Sequence, residues 1–145
     1  MKQIQIPDGV EEYNLNDRIT VRFNPTDVGF LERLHRVNTR LTELQAELNN
    51  AKETLSDDEA GIFALASDLD AQMRAELDSL FDVPICEALF GSTNLYASAG
   101  GFPVWTNFLL AIAEETGAAM QSELAAREKR IAKYTEKYET NTSER

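Results

Sequence analysis

Cysteine is almost absent from this chain. A single thiol, Cys86, in 145 residues rules out an internal disulfide and is poor material for a metal site. Positive charge is scarce as well. Fourteen Lys and Arg stand against 25 Asp and Glu, a formal net charge of −11, which argues against general phosphate-backbone binding. Such a balance is compatible with a basic partner or with nucleic-acid mimicry, although acidity also serves solubility. No apolar run approaches the ~18 residues a membrane span needs. The opening segment MKQIQIPDGVEE lacks the apolar stretch of a signal peptide. These absences lead us to expect a cytoplasmic protein with neither nucleic acid nor membrane as a partner. A glycine-rich phosphate loop is also missing, since ASAGGF at 97–102 has no lysine and no buried strand before it.

What is present suits one folded domain. Apolar residues make up 43% and charged residues 27%, and a chain of this length buries roughly two thirds of its unfolded surface. Ile4 and Ile6 alternate with glutamines, PDG at 7–9 offers turn residues, and Ile19, Val21 and Phe23 alternate again. We expect a β-hairpin within residues 1–23, with VEEYNLNDR between its strands too polar to be a strand itself. The period changes at Asn24 and Pro25. A helix is expected from Thr26 or Asp27, whose side chain can cap it. Leu34, Val37, Leu41, Leu44 and Leu48 are spaced 3, 4, 3, 4, a narrow seam for another helix. The polar NNAK at 49–52 predicts fraying into a loop.

A second helix is expected to open on a capping box of Ser56 and Glu59. It runs antiparallel to the first and carries Asp68, Asp70, Glu76 and Asp78 on an acidic outer face. Asp82 is the expected cap of a short helix that Gly91 ends. STNLYASAGG is expected as a loop, and Pro103 as the start of a third long helix bearing Trp105, Phe108, Leu109 and Ile112. The predicted class is therefore mainly α (α+β by strict count): a small N-terminal hairpin, then a bundle of three long helices and one short one. We expect one globular domain over 1–116, an extended C-terminal helix over 117–138 and a disordered tail over 139–145.

Few residues of this chain have the type and spacing that chemistry needs. His35 could be a base or a pH-sensitive contact, but no Cys or Ser nucleophile is near it in sequence, and a surface helix position explains it. Cys86 sits in the apolar PICEALF beside acidic residues, which favours a small core residue over a reactive thiolate. Asp57, Asp58 and Glu59 fall in a first helical turn, where capping accounts for them. None of the carboxylates has the spacing of a calcium loop. NTS at 141–143 formally matches a glycosylation acceptor, which carries no weight without a secretory signal. We expect no enzyme, no cofactor and no metal. What remains is aromatic material near loops and helix starts, where interface anchors are common.

Three stretches carry a family resemblance. FNPTDVGFLERL at 23–34, LDSLFDVPICEALFGSTNLY at 77–96 and FLLAIAEE at 108–115 resemble the small tail assembly chaperones of siphophages and of prophages in Gram-positive bacteria. The sequence departs from that pattern at Asp82-Val83-Pro84, where a glycine turn is expected, and in the insertion YASAGGFPVW. The resemblance implies a non-enzymatic factor that coats the helical tape-measure protein, keeps it soluble and helps recruit tail-tube subunits. It also implies a location in the bacterial host cytoplasm and absence from the mature virion. The expected client groove runs along Phe30, Leu34, Val37 and Leu41, with Phe102 and Trp105 at one rim. The alternatives are a small acidic adaptor or inhibitor of a host protein, or a self-assembling homo-oligomer using the C-terminal helix as its arm.

Overall fold

The first reversal of the chain is a tight turn at Asn16 and Asp17, both with positive φ, closed by Arg18 N–H donating to the Leu15 carbonyl at 3.0 Å. Two consecutive residues with positive φ match the right-handed twist of the flanking strands, and Asn and Asp tolerate that conformation. In the computed structural model, which describes residues 1–143 and only the backbone of 138–143, this turn joins β1 (Glu11–Leu15) to β2 (Ile19–Phe23). The strands pair antiparallel with Tyr13 opposite Val21 and Leu15 opposite Ile19. The expected first strand at Ile4 and Ile6 does not form, and both side chains are exposed. Tyr13 and Leu15, in the segment expected to be too polar, have apolar neighbours to pack against and take the pairing instead.

Asp27 then caps α1 (Val28–Thr54), accepting from Gly29 N–H at 3.0 Å. The helix runs through NNAK without fraying there, because Leu44 and Leu48 are buried and anchor its last turns. Following it is α2 (Glu59–Asp78), whose cap is Asp58, accepting from Gly61 N–H at 2.9 Å. The expected Ser56–Glu59 capping box is thus displaced by an aspartate two residues later. Arg40 reaches Gln72 at 3.2 Å across the pair, which fixes α1 and α2 as an antiparallel hairpin.

The short helix α3 (Cys86–Phe90) has no side-chain cap of its own at Ile85. Asp78, at the end of α2, accepts from the N–H groups of Ile85 and Cys86 at 2.8 and 2.9 Å. It does the work expected of Asp82. Gly91 ends α3 with φ 54 as expected. At the end of the expected loop and just past it, β3 (Ser98–Ala99) and β4 (Phe102–Pro103) form a minimal antiparallel pair. Its turn is Gly100-Gly101, at φ 63 and 92. Pro103 therefore ends a strand, and α4 (Val104–Ser143) begins one residue later.

A single apolar cluster joins the hairpin, α1, α2, α3 and the first turns of α4. Phe23 is its hinge, stacked on Tyr13 at 4.7 Å and on Phe30 at 4.4 Å, with Phe81 at 5.3 Å. The architecture is mainly α, with an N-terminal hairpin and a bundle of three long helices and one short one. α4 runs antiparallel to α1, as Trp105 bonds Gln45 while Leu109 and Ala113 lie beside Leu31 and Leu34. Beyond Glu123 it leaves the body. The helical backbone continues to Ser143, past the expected break at 139, and residues 144 and 145 lie outside the described residues.

Candidate functional site

The expected groove along α1 is not open. Phe30, Val37 and Leu41 are 1%, 4% and 0% exposed. A 3–4 stripe on a helix is the natural seam to its neighbours, and these residues are consumed by the intramolecular core. Trp105 is also buried rather than at a rim, with its indole N–H donating to Gln45 Oε1 at 2.9 Å. Phe102 is exposed on β4. Of the six candidate residues, only Leu34 and Trp105 meet at one surface feature.

That feature is a cleft of about 470 Å³ between α1 and α4. Leu34, Trp105 and Leu109 form a buried apolar floor, while Leu110 and Ala113 form an exposed apolar lip on α4. The opposite lip, on α1, is polar at His35, Asn38 and Thr42, with the half-buried Leu31 at its N-terminal end. Thr42 donates its hydroxyl to the Asn38 carbonyl at 2.8 Å, so this lip spends part of its polarity on its own helix. Leu110 and Ala113 were not singled out from sequence, because Leu110 stands one residue after Leu109, about 100° round the helix and off the Trp105–Phe108–Leu109–Ile112 stripe, where an isolated apolar residue is ordinary surface. An apolar floor with one apolar and one polar lip suits the edge of an amphipathic helix.

The acidic face expected on α2 is only partly a face. Asp68 is exposed, but Asp70 and Asp78 turn toward the chain that follows. Asp70 accepts from Arg74 Nε at 2.9 Å and from Leu95 N–H at 2.7 Å, while Arg74 donates to the Thr93 carbonyl at 2.7 Å. Tyr96 donates to the Leu44 carbonyl at 3.0 Å. The 91–97 loop is thereby fastened to both α1 and α2, with Leu95 fully buried beneath it. These bonds join residues 25 and 52 apart in sequence, beyond the reach of any local capping pattern.

The groups with displaced titration are all held in their protonated, unreactive form. Burial first, then the Asp78 carboxylate, pushes the Cys86 thiol up to about 12. Burial, followed by Glu47 and Asp70, pushes the Tyr96 phenol up to about 12. Tyr13 is raised as well, by burial and then by Glu11. Cys86 is 1% exposed, the opposite of an activated thiolate. In the unfolded chain these groups ionise at their ordinary values, about 8.5 for Cys and 10 for Tyr. The folded form then binds more protons than the unfolded form, so stability is full below about pH 8 and falls as pH rises through about 9 to 12. Urea midpoints measured across that range should decline, and Cys86 should react with a thiol reagent only on unfolding. A flat alkaline profile would contradict this placement.

Among the described residues there is no group of three metal-ligating side chains and no helix long and apolar enough to cross a membrane. Comparison with family models, with curated proteins and with solved structures found no match. The class defined by fold and site is an α-helical bundle with an inter-helix cleft.

Proposed function

We propose that the chain is a non-enzymatic assembly factor of the phage tail assembly chaperone kind, binding a helical segment of the tape-measure protein and helping to recruit tail-tube subunits. The observation that carries the reading is the α1–α4 cleft, with its apolar floor and the exposed Leu110 lip. A helical client could lay an apolar edge there, and a net charge of −11 on the carrier would oppose aggregation of the complex. The motifs at 23–34 and 77–96 support the same reading by resemblance. They build the entry to α1 and the segment from the end of α2 to the 91–97 loop.

The test is co-expression with a phage tape-measure protein, the client this reading assigns, followed by pull-down and mass determination. Recovery of the client in the soluble fraction only when this chain is present is the expected result. Leu110, 47% exposed, can be changed to glutamate without touching the core. Leu110→Glu should weaken client binding about tenfold or more, the loss expected when a charge enters an apolar contact. No complex, with the chain itself folded, would overturn the reading.

One observation favours a second reading, an adaptor for a host protein. Phe63 on α2 is 69% exposed, close in sequence to the exposed acids Asp57, Asp58 and Glu59. Binding through that surface would weaken steeply with salt, whereas binding in the apolar cleft would not.

A further inference from the structure

The outer part of α4 carries an apolar stripe that its own chain does not cover. Met120, Leu124, Ile131 and Tyr134 are 40%, 52%, 58% and 74% exposed. With Leu124 and Ile131 at a and Met120 and Tyr134 at d, they follow a heptad, and Gly117 and Arg127 fill the remaining a and d places. At Gly117 a Cβ would meet nothing within 4 Å, so the stripe has a notch at one end and the large Tyr134 near the other.

Charge along α4 is divided. Residues 104–126 contain three acidic and no basic side chains, whereas 127–137 contain five basic and two acidic ones. Parallel pairing of two such helices would set like halves side by side. It would also place Glu123, at g, against Glu128 at e of the other helix. Antiparallel pairing reverses both effects.

We propose that α4 pairs antiparallel with α4 of a second copy of this chain, in the register that sets Met120 opposite Ile131, Leu124 opposite Arg127 and Gly117 opposite Tyr134. In that register the g positions bring Glu123 against Arg130 twice, once on each side of the two-fold axis. The tyrosine ring faces the glycine notch, and the aliphatic stem of Arg127 covers Leu124 while its guanidinium stays in water. Shifting by one heptad in either direction sets Glu123 against Glu123, or Arg130 against Arg130. The paired length, residues 117–134, spans about 27 Å at 1.5 Å per residue. That is short of the three to four heptads of a self-sufficient coiled coil, so the dimer is weak and concentration-dependent. The pairing uses residues beyond the cleft and stands independently of the client reading.

Sedimentation velocity of the full chain over a range of concentrations should show reversible monomer and dimer. Glu123→Arg or Arg130→Glu alone should raise the dimer dissociation constant about tenfold, and the double exchange should restore it. Orientation is read by cross-linking. A chain with Met120→Cys mixed with a chain with Ile131→Cys should give mixed disulfides, and the native Cys86 is buried and will not interfere. Monomer at every concentration would overturn the proposal. So would disulfides formed only between like variants, which would mean parallel pairing. Unchanged Trp105 fluorescence keeps loss of pairing distinct from loss of fold.

Discussion

Replacing Phe30 by alanine is expected to lower the free energy of unfolding by about 3–5 kcal/mol, the largest single effect in this molecule. The ring is 1% exposed and stacks on Phe23 at 4.4 Å and on Phe81 at 5.9 Å. It lies where the hairpin, α1 and the end of α2 converge. Its loss leaves a cavity that three separate elements would have to close, and they cannot all relax toward it. Against a total stability of about 5–15 kcal/mol, the melting temperature should fall by roughly 10 °C or more. Thermal and urea denaturation measure it. The experiment also separates two roles for the same residue. If Phe30→Ala folds with near-normal stability yet loses a partner, Phe30 belongs to an interface, as the sequence suggested, and its burial in the core is wrong.

The second large effect is expected at Asp70. Asp70→Ala removes the acceptor for both the Arg74 guanidinium and the Leu95 N–H. The pair's side chains are 21% and 17% exposed, so water reaches the stranded groups only in part. Breaking a fully buried pair costs about 3–5 kcal/mol, and partial exposure brings the expectation here to about 2–4 kcal/mol. The 91–97 loop should loosen with it, and because Tyr96 bonds Leu44 from that loop, amide exchange should quicken at 93–97 before it does in α1. Arg74→Leu added to Asp70→Ala should cost less than the sum of the single changes, because the two residues form one network. A loss below about 1 kcal/mol for Asp70→Ala would show that the Leu95 plug, rather than the carboxylate, holds the loop.

Much of the architecture was legible locally. Asn24-Pro25-Thr26-Asp27 stops a strand and caps a helix through interactions spanning a few residues, and α1 starts at Val28 under an Asp27 cap. The Leu34-to-Leu48 stripe announced a helix–helix seam for the same reason, since periodicity is a property of the backbone alone. Gly91 ended its helix because a positive φ favours glycine. Two local differences were small: Asp58 in place of Ser56, and a strand at Tyr13 and Leu15, which do alternate with Glu12 and Asn14 although both of those are poor strand formers.

By itself, then, the sequence determined the period of each helix, the Asp27 cap of α1 and the Gly91 end of α3. Only the tertiary structure decided which side of each apolar stripe remains open. Phe30, Val37 and Leu41 share their pattern with any groove-lining helix, yet α2 and the hairpin cover them. Leu110 and Ala113 flank the buried stripe of Leu109 and Ile112, and the packing of α4 on α1 puts them on the cleft. Whether an apolar side chain is core or surface depends on what packs against it from elsewhere in the chain. The carboxylates follow the same logic. Asp70 and Asp78 look like part of a charged face in sequence, and become backbone caps once residues 85–95 fold back beside them.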